Sequence, residues 1–69
     1  MITTDELKDI IEEFDNLMQA GLDELAVNDK ELAEEYFSDA AHVLSKVQDK
    51  RWHDELATKY TVNPLDFAN

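Results

Sequence analysis

An all-α fold is predicted by three observations: two long apolar stripes of helical period, a capping signal at the head of each, and a turn between them too short to do anything but fold the second back on the first. The expected architecture is an antiparallel helical hairpin, at about residues 4–27 and 29–48, with a shorter third helix at about 50–61 and dimerisation as a means of completing the bundle. Residues 1–62 then form a single helical domain, and residues 63–69 a C-terminal tail with room for one helical turn.

The first helix opens at Ile2-Thr3-Thr4-Asp5-Glu6-Leu7, where Thr3 is placed to cap, Glu6 to bond back, and Ile2 to staple onto Leu7. From there Leu7, Ile10, Ile11, Phe14, Leu17, Met18, Leu22 and Leu25 recur at steps of three and four, which sets them along one face. Gly21 falls on the same face. Glycine inside a helix costs about 1 kcal/mol against alanine, so its presence there predicts a close crossing by another backbone.

Val27-Asn28-Asp29-Lys30-Glu31-Leu32 repeats the opening signal, with Asn28 as the expected cap and Val27 stapling to Leu32. The second helix is expected to turn Leu32, Ala33, Tyr36, Phe37, Ala40, Ala41, Leu44 and Val47 inward. At about 100° per residue, Trp52, Leu56 and Tyr60 have swung away from that face, which predicts a kink or a new start near residues 48–50, with Asp49 as its cap. Pro64 disfavours helix at Asn63, so the third helix should stop by Val62, and Leu65 and Phe67 are left to turn or to pack over the hairpin.

Gly21, the turn Asn28-Asp29, and the small and aromatic residues Ala33, Phe37 and Ala40 carry a local likeness. From Phe14 to Val47 the chain resembles a single tetratricopeptide unit, although Leu17, Glu24 and Ser45 stand at that motif's tryptophan, tyrosine and closing proline positions. No second copy follows at the repeat's offset of about 34 residues. The resemblance implies a tight helical hairpin and brings no peptide-binding site with it.

Charge is distributed very unevenly. Residues 1–45 hold thirteen carboxylates against Lys8 and Lys30, a net of −11, whereas residues 46–69 balance four acids with four bases. The predicted outer ridges are Asp5, Asp9, Glu12 and Asp23 on the first helix and Glu31, Glu35 and Asp39 on the second. Like-charge neighbours four apart, such as Asp5 and Asp9 or Glu31 and Glu35, each cost about 0.2–0.5 kcal/mol. A domain of 69 residues has a marginal core and no cysteine to staple it, so tolerating that cost points to a use for the charge.

The sign of the charge argues against direct nucleic-acid binding. No catalytic nucleophile and base stand in a known spacing, and neither a cofactor nor a metal is expected. Asp39-x-x-His42 has the acid-x-x-His spacing of di-iron bundles, but helical phase sets both residues opposite Phe37 and Leu44. Lys50-Arg51-Trp52-His53 is the one basic and aromatic cluster, and Trp52, Leu56 and Tyr60 are read as apolar interface anchors. No apolar run reaches the roughly 18 residues of a spanning helix, and the N-terminus does not read as a secretory signal, so a cytoplasmic protein without membrane contact is expected.

The function expected from these features is that of a small acidic, non-enzymatic protein that binds and regulates or inhibits a protein partner, basic or nucleic-acid-binding in kind. In length, acidity and lack of motif it is similar in character to the accessory proteins of phages and mobile elements. Two alternatives stand beside it: a nucleic-acid-mimicking decoy of a DNA-binding protein, and a structural homodimer whose acidic face has no ligand.

Overall fold

The computed structural model describes residues 3–67, and the expected staple by Ile2 lies outside them. Three helices follow in order, α1 (Thr4–Ala26), α2 (Lys30–Leu44) and α3 (Lys50–Ala57), and a short 3-10 turn (Pro64–Phe67) closes the described chain. The hairpin of α1 and α2 with a shorter third helix is the predicted architecture. A 23-residue helix is about 34 Å long, so α1 alone accounts for most of the 38 × 19 × 18 Å envelope.

Thr3 caps α1 as its sequence directs, its Oγ1 accepting from the Glu6 amide at 3.2 Å, whereas the Glu6 carboxylate makes no return hydrogen bond to Thr3. Its end departs from the expectation. Asn28 adopts a left-handed φ of 64°, the Asp29 amide donates to the Glu24 carbonyl, and the Asn28 amide donates to the Leu25 carbonyl. This is a Schellman closure with asparagine in the place glycine usually takes. Asn28 therefore stops α1, and Asp29 is the residue that caps α2, accepting from the Leu32 amide at 3.1 Å. With the cap displaced by one residue, Val27 does not staple to Leu32 but stands 70% exposed.

Both later helices are shorter than their apolar patterns suggested. α2 ends at Leu44 rather than 48, because the Ser45 hydroxyl donates to the His42 carbonyl and the amides of Lys46 and Val47 bond three residues back, tightening the chain so that Val47 enters the core. Asp49 then caps α3 as predicted, accepting from the Arg51 amide at 3.0 Å. α3 ends at Ala57 rather than 61, where Thr58 donates its hydroxyl to the Asp54 carbonyl and the backbone leaves the helix to bring Tyr60 back onto α1.

Ala33 and Ala40 of α2 are fully buried, as are the larger Phe14, Met18, Phe37 and Leu44. Burying a side chain of this size stabilises the fold by about 1.5–3 kcal/mol. Gly21 is buried opposite Phe37, and the reason is a ring rather than a backbone: an added Cβ would stand 2.6 Å from Phe37 Cε1. Leu56, Ala57, Tyr60, Val62 and Phe67 complete this core, and the Phe37 and Phe67 rings lie 5.2 Å apart. The C-terminal segment thus covers the hairpin from within the same chain. It covers part of the apolar surface that the sequence left to a second copy or a partner, and the tail both turns and packs Phe67, while Leu65 stays 38% exposed.

Candidate partner-binding surface

All seven predicted ridge residues, Asp5, Asp9, Glu12, Asp23, Glu31, Glu35 and Asp39, are exposed. Among the described residues, Asp15 is the one carboxylate of the acidic N-terminal two thirds that enters an ion pair, with Lys59 at 2.9 Å. The bases of the C-terminal third do little to neutralise the hairpin. Arg51 sits 3.8 Å from Glu55 of its own helix, and Lys46 and Lys50 make no ion pair among the described residues. The negative field of α1 and α2 therefore faces solvent almost uncompensated.

Asp15 organises the inner end of the C-terminal segment. Lys59 Nζ donates to both of its oxygens, and the Tyr60 hydroxyl donates to Oδ1 at 2.7 Å. The bond to Asp15 raises the Lys59 ammonium above its ordinary pKa. Burial raises the Tyr60 phenol, and the bond to Asp15 raises it further.

Two open depressions flank the hairpin. One, of about 920 Å³, lies between α2 and the 3-10 turn and is mainly polar, with Asp29, Glu31, Glu34, Glu35 and Asp66 around Leu32 and Phe67. The other, of about 420 Å³, lies between α1 and α2 and has an apolar floor of Leu17, Ala20 and Tyr36 below Asp9, Glu12 and Glu13. Residues two apart on a helix differ by about 200°, so Leu17 and Asp15 occupy opposite flanks of α1. The C-terminal segment covers the Asp15 flank and leaves the Leu17 flank open.

The three predicted anchors separate. Leu56 is 5% exposed and belongs to the core, and Tyr60 is half-buried against Phe14 at a ring distance of 6.2 Å. Trp52 stays at the surface, 42% exposed, beside Lys50 and Arg51. Asp39 and His42 both point outward on α2, and among the described residues no three His, Cys, Asp or Glu side chains are grouped to hold a metal ion. No described helix is long and apolar enough to cross a membrane.

Sequence reasoning set Leu17 and Tyr36 among the inward residues and overlooked Ala20 and Glu13 as surface. Their phase on the edge of the apolar stripe was the available signal. Which edge stays open depends on the side to which the C-terminal segment returns. Comparison of the chain with protein-family models, with curated proteins and with solved structures returns no match. The tetratricopeptide likeness accordingly extends no further than the pattern of one hairpin.

Proposed function

We propose that this is a non-catalytic binding protein that engages a basic protein partner through the acidic hairpin and thereby regulates or inhibits it. The observation that carries this reading is the state of the N-terminal carboxylates, of which Asp15 alone is paired within the described chain. Unpaired like charges on neighbouring helix turns oppose folding by a few tenths of a kcal/mol each, and a cationic partner relieves them.

A second reading, a nucleic-acid mimic, is favoured by one measure. Eleven net charges along 38 Å give about one per 3.5 Å, close to the ~3.4 Å spacing of a single DNA strand. The carboxylates are divided between two helices, however, and the apolar floor of Leu17, Ala20 and Tyr36 interrupts them, as suits a protein surface better than a phosphate replica.

The test is recovery of partners on the tagged chain at about 50 and about 200 mM salt, with and without competing duplex DNA. A basic partner that is retained at the higher salt and is not displaced by DNA supports the first reading. Complete loss at the higher salt together with displacement by DNA replaces it with the mimic. Absence of any partner at both salts overturns both.

A further inference from the structure

Of the two depressions, the groove floored by Leu17, Ala20 and Tyr36 is the one whose exposed lining is mainly apolar, under a rim of unpaired carboxylates. We propose that it docks a basic amphipathic helix of a partner protein, with that helix's apolar residues on the floor and its lysines or arginines against Asp9, Glu12 and Glu13. This rests on the basic-partner reading above and names its site.

Three observations select this occupant. Leu17 and Ala20 stand one turn apart, about 4.5 Å along α1, opposite Tyr36, which seats apolar anchors one turn apart (i and i+3 or i+4) on a helix, while Asp9, Glu12 and Glu13 carry the acidic rim on along α1. The rim is acidic, so the flanks of the incoming helix must be cationic for the charges to be desolvated in pairs. Two of the chain's own C-terminal aromatic residues are already engaged elsewhere: Tyr60 lies on the Asp15 flank and Phe67 on Phe37. A second copy carries the same net charge of −11 and is repelled, which leaves a foreign cationic segment.

The experiment uses the full chain, isotopically labelled, and two synthetic peptides about four helical turns long with equal numbers of lysines. One carries leucines at i, i+3, i+4 and i+7, and in the other glutamines replace the leucines. The leucine peptide is expected to bind at least about tenfold more tightly and to shift the amide resonances of Leu17, Ala20 and Tyr36 most. Ala20→Glu adds a negative charge yet places a side chain on the floor, so it is expected to weaken that peptide about tenfold, where a purely ionic contact would be unchanged or stronger.

Three outcomes overturn the groove: equal affinity of the two peptides, an undiminished Ala20→Glu variant, or shifts centred on Leu32, Ser38 and Asp66 instead. All three leave the basic-partner reading standing. Absence of binding by either peptide at low salt overturns both. Concentration-dependent shifts at Leu17 and Tyr36 without peptide, accompanied by a dimer in light scattering, assign the groove to a second copy and overturn the foreign helix.

Discussion

The Tyr60 hydroxyl donates a hydrogen bond of 2.7 Å to Asp15 Oδ1, and Lys59 Nζ holds the same carboxylate at 2.9 Å. One acidic side chain of α1 thereby fixes the point at which the chain leaves α3 and turns back over the hairpin. Replacing that carboxylate by a neutral amide leaves Tyr60, half-buried against Phe14, with a weaker acceptor.

Asp15→Asn is expected to lower stability by about 0.5–1 kcal/mol at neutral pH, the range for a largely exposed ion pair with one added hydrogen bond. The pH dependence follows from the direction of the shifts. Both Lys59 and Tyr60 hold their protons more tightly in the folded chain than at their ordinary values of 10.5 and 10.0, so their contribution is complete below those values and disappears as pH rises through the folded ones. Thermal midpoints of wild type and Asp15→Asn should therefore differ at about pH 8 and draw together as pH rises beyond 10.5 and through the raised folded values. A gap that persists unchanged into the alkaline range would show that Asp15 acts through something other than these two groups.

Gly21→Ala is expected to destabilise the protein by about 1 kcal/mol, against the usual gain of similar size from replacing a helical glycine. The added methyl would stand 2.6 Å from Phe37 Cε1, and Phe37 is itself backed by Phe67 at 5.2 Å, so the ring has little room to retreat. Urea unfolding with an unchanged slope and a lowered midpoint is the expected record. A raised midpoint would mean that the ring swings aside freely.

Leu56→Ala and Trp52→Ala should behave unlike each other despite sharing one stripe of the sequence. Leu56 is 5% exposed and its truncation is expected to cost about 2–5 kcal/mol. Trp52, 42% exposed, should cost less than about 1 kcal/mol when truncated. Denaturant titrations followed by far-UV circular dichroism measure both without relying on the tryptophan itself, and comparable losses for the two would refute the separation.

Helix starts were legible because capping is local chemistry: Thr3 and Asp49 each bond an amide within the next three residues, whatever the rest of the chain does. Asn28 misled for the same reason. Asparagine and aspartate both cap, and only the left-handed φ of Asn28 shows that it ends α1 while its neighbour begins α2. Helix ends were the least legible, since no glycine marks Leu44 or Ala57 and the apolar pattern runs on past both. The exposed carboxylates were readable from helical phase, whereas the open flank at Leu17 and Tyr36 was not.

What the sequence by itself determined is therefore the all-α class, the hairpin, the helix starts to within one residue and the placement of the negative charge on outer faces, which follow from capping and helical phase over a few residues. The tertiary structure decided the rest: that Tyr60 and Phe67 return to one flank of the hairpin, that Leu56 is buried while Trp52 is not, and that the opposite flank keeps an apolar floor under carboxylates. The physical reason is that Asp15 and Lys59 are 44 residues apart, and Asp15 and Tyr60 are 45 apart. Contacts of that separation depend on how the whole core closes, and no periodicity along a single helix encodes which side it closes on.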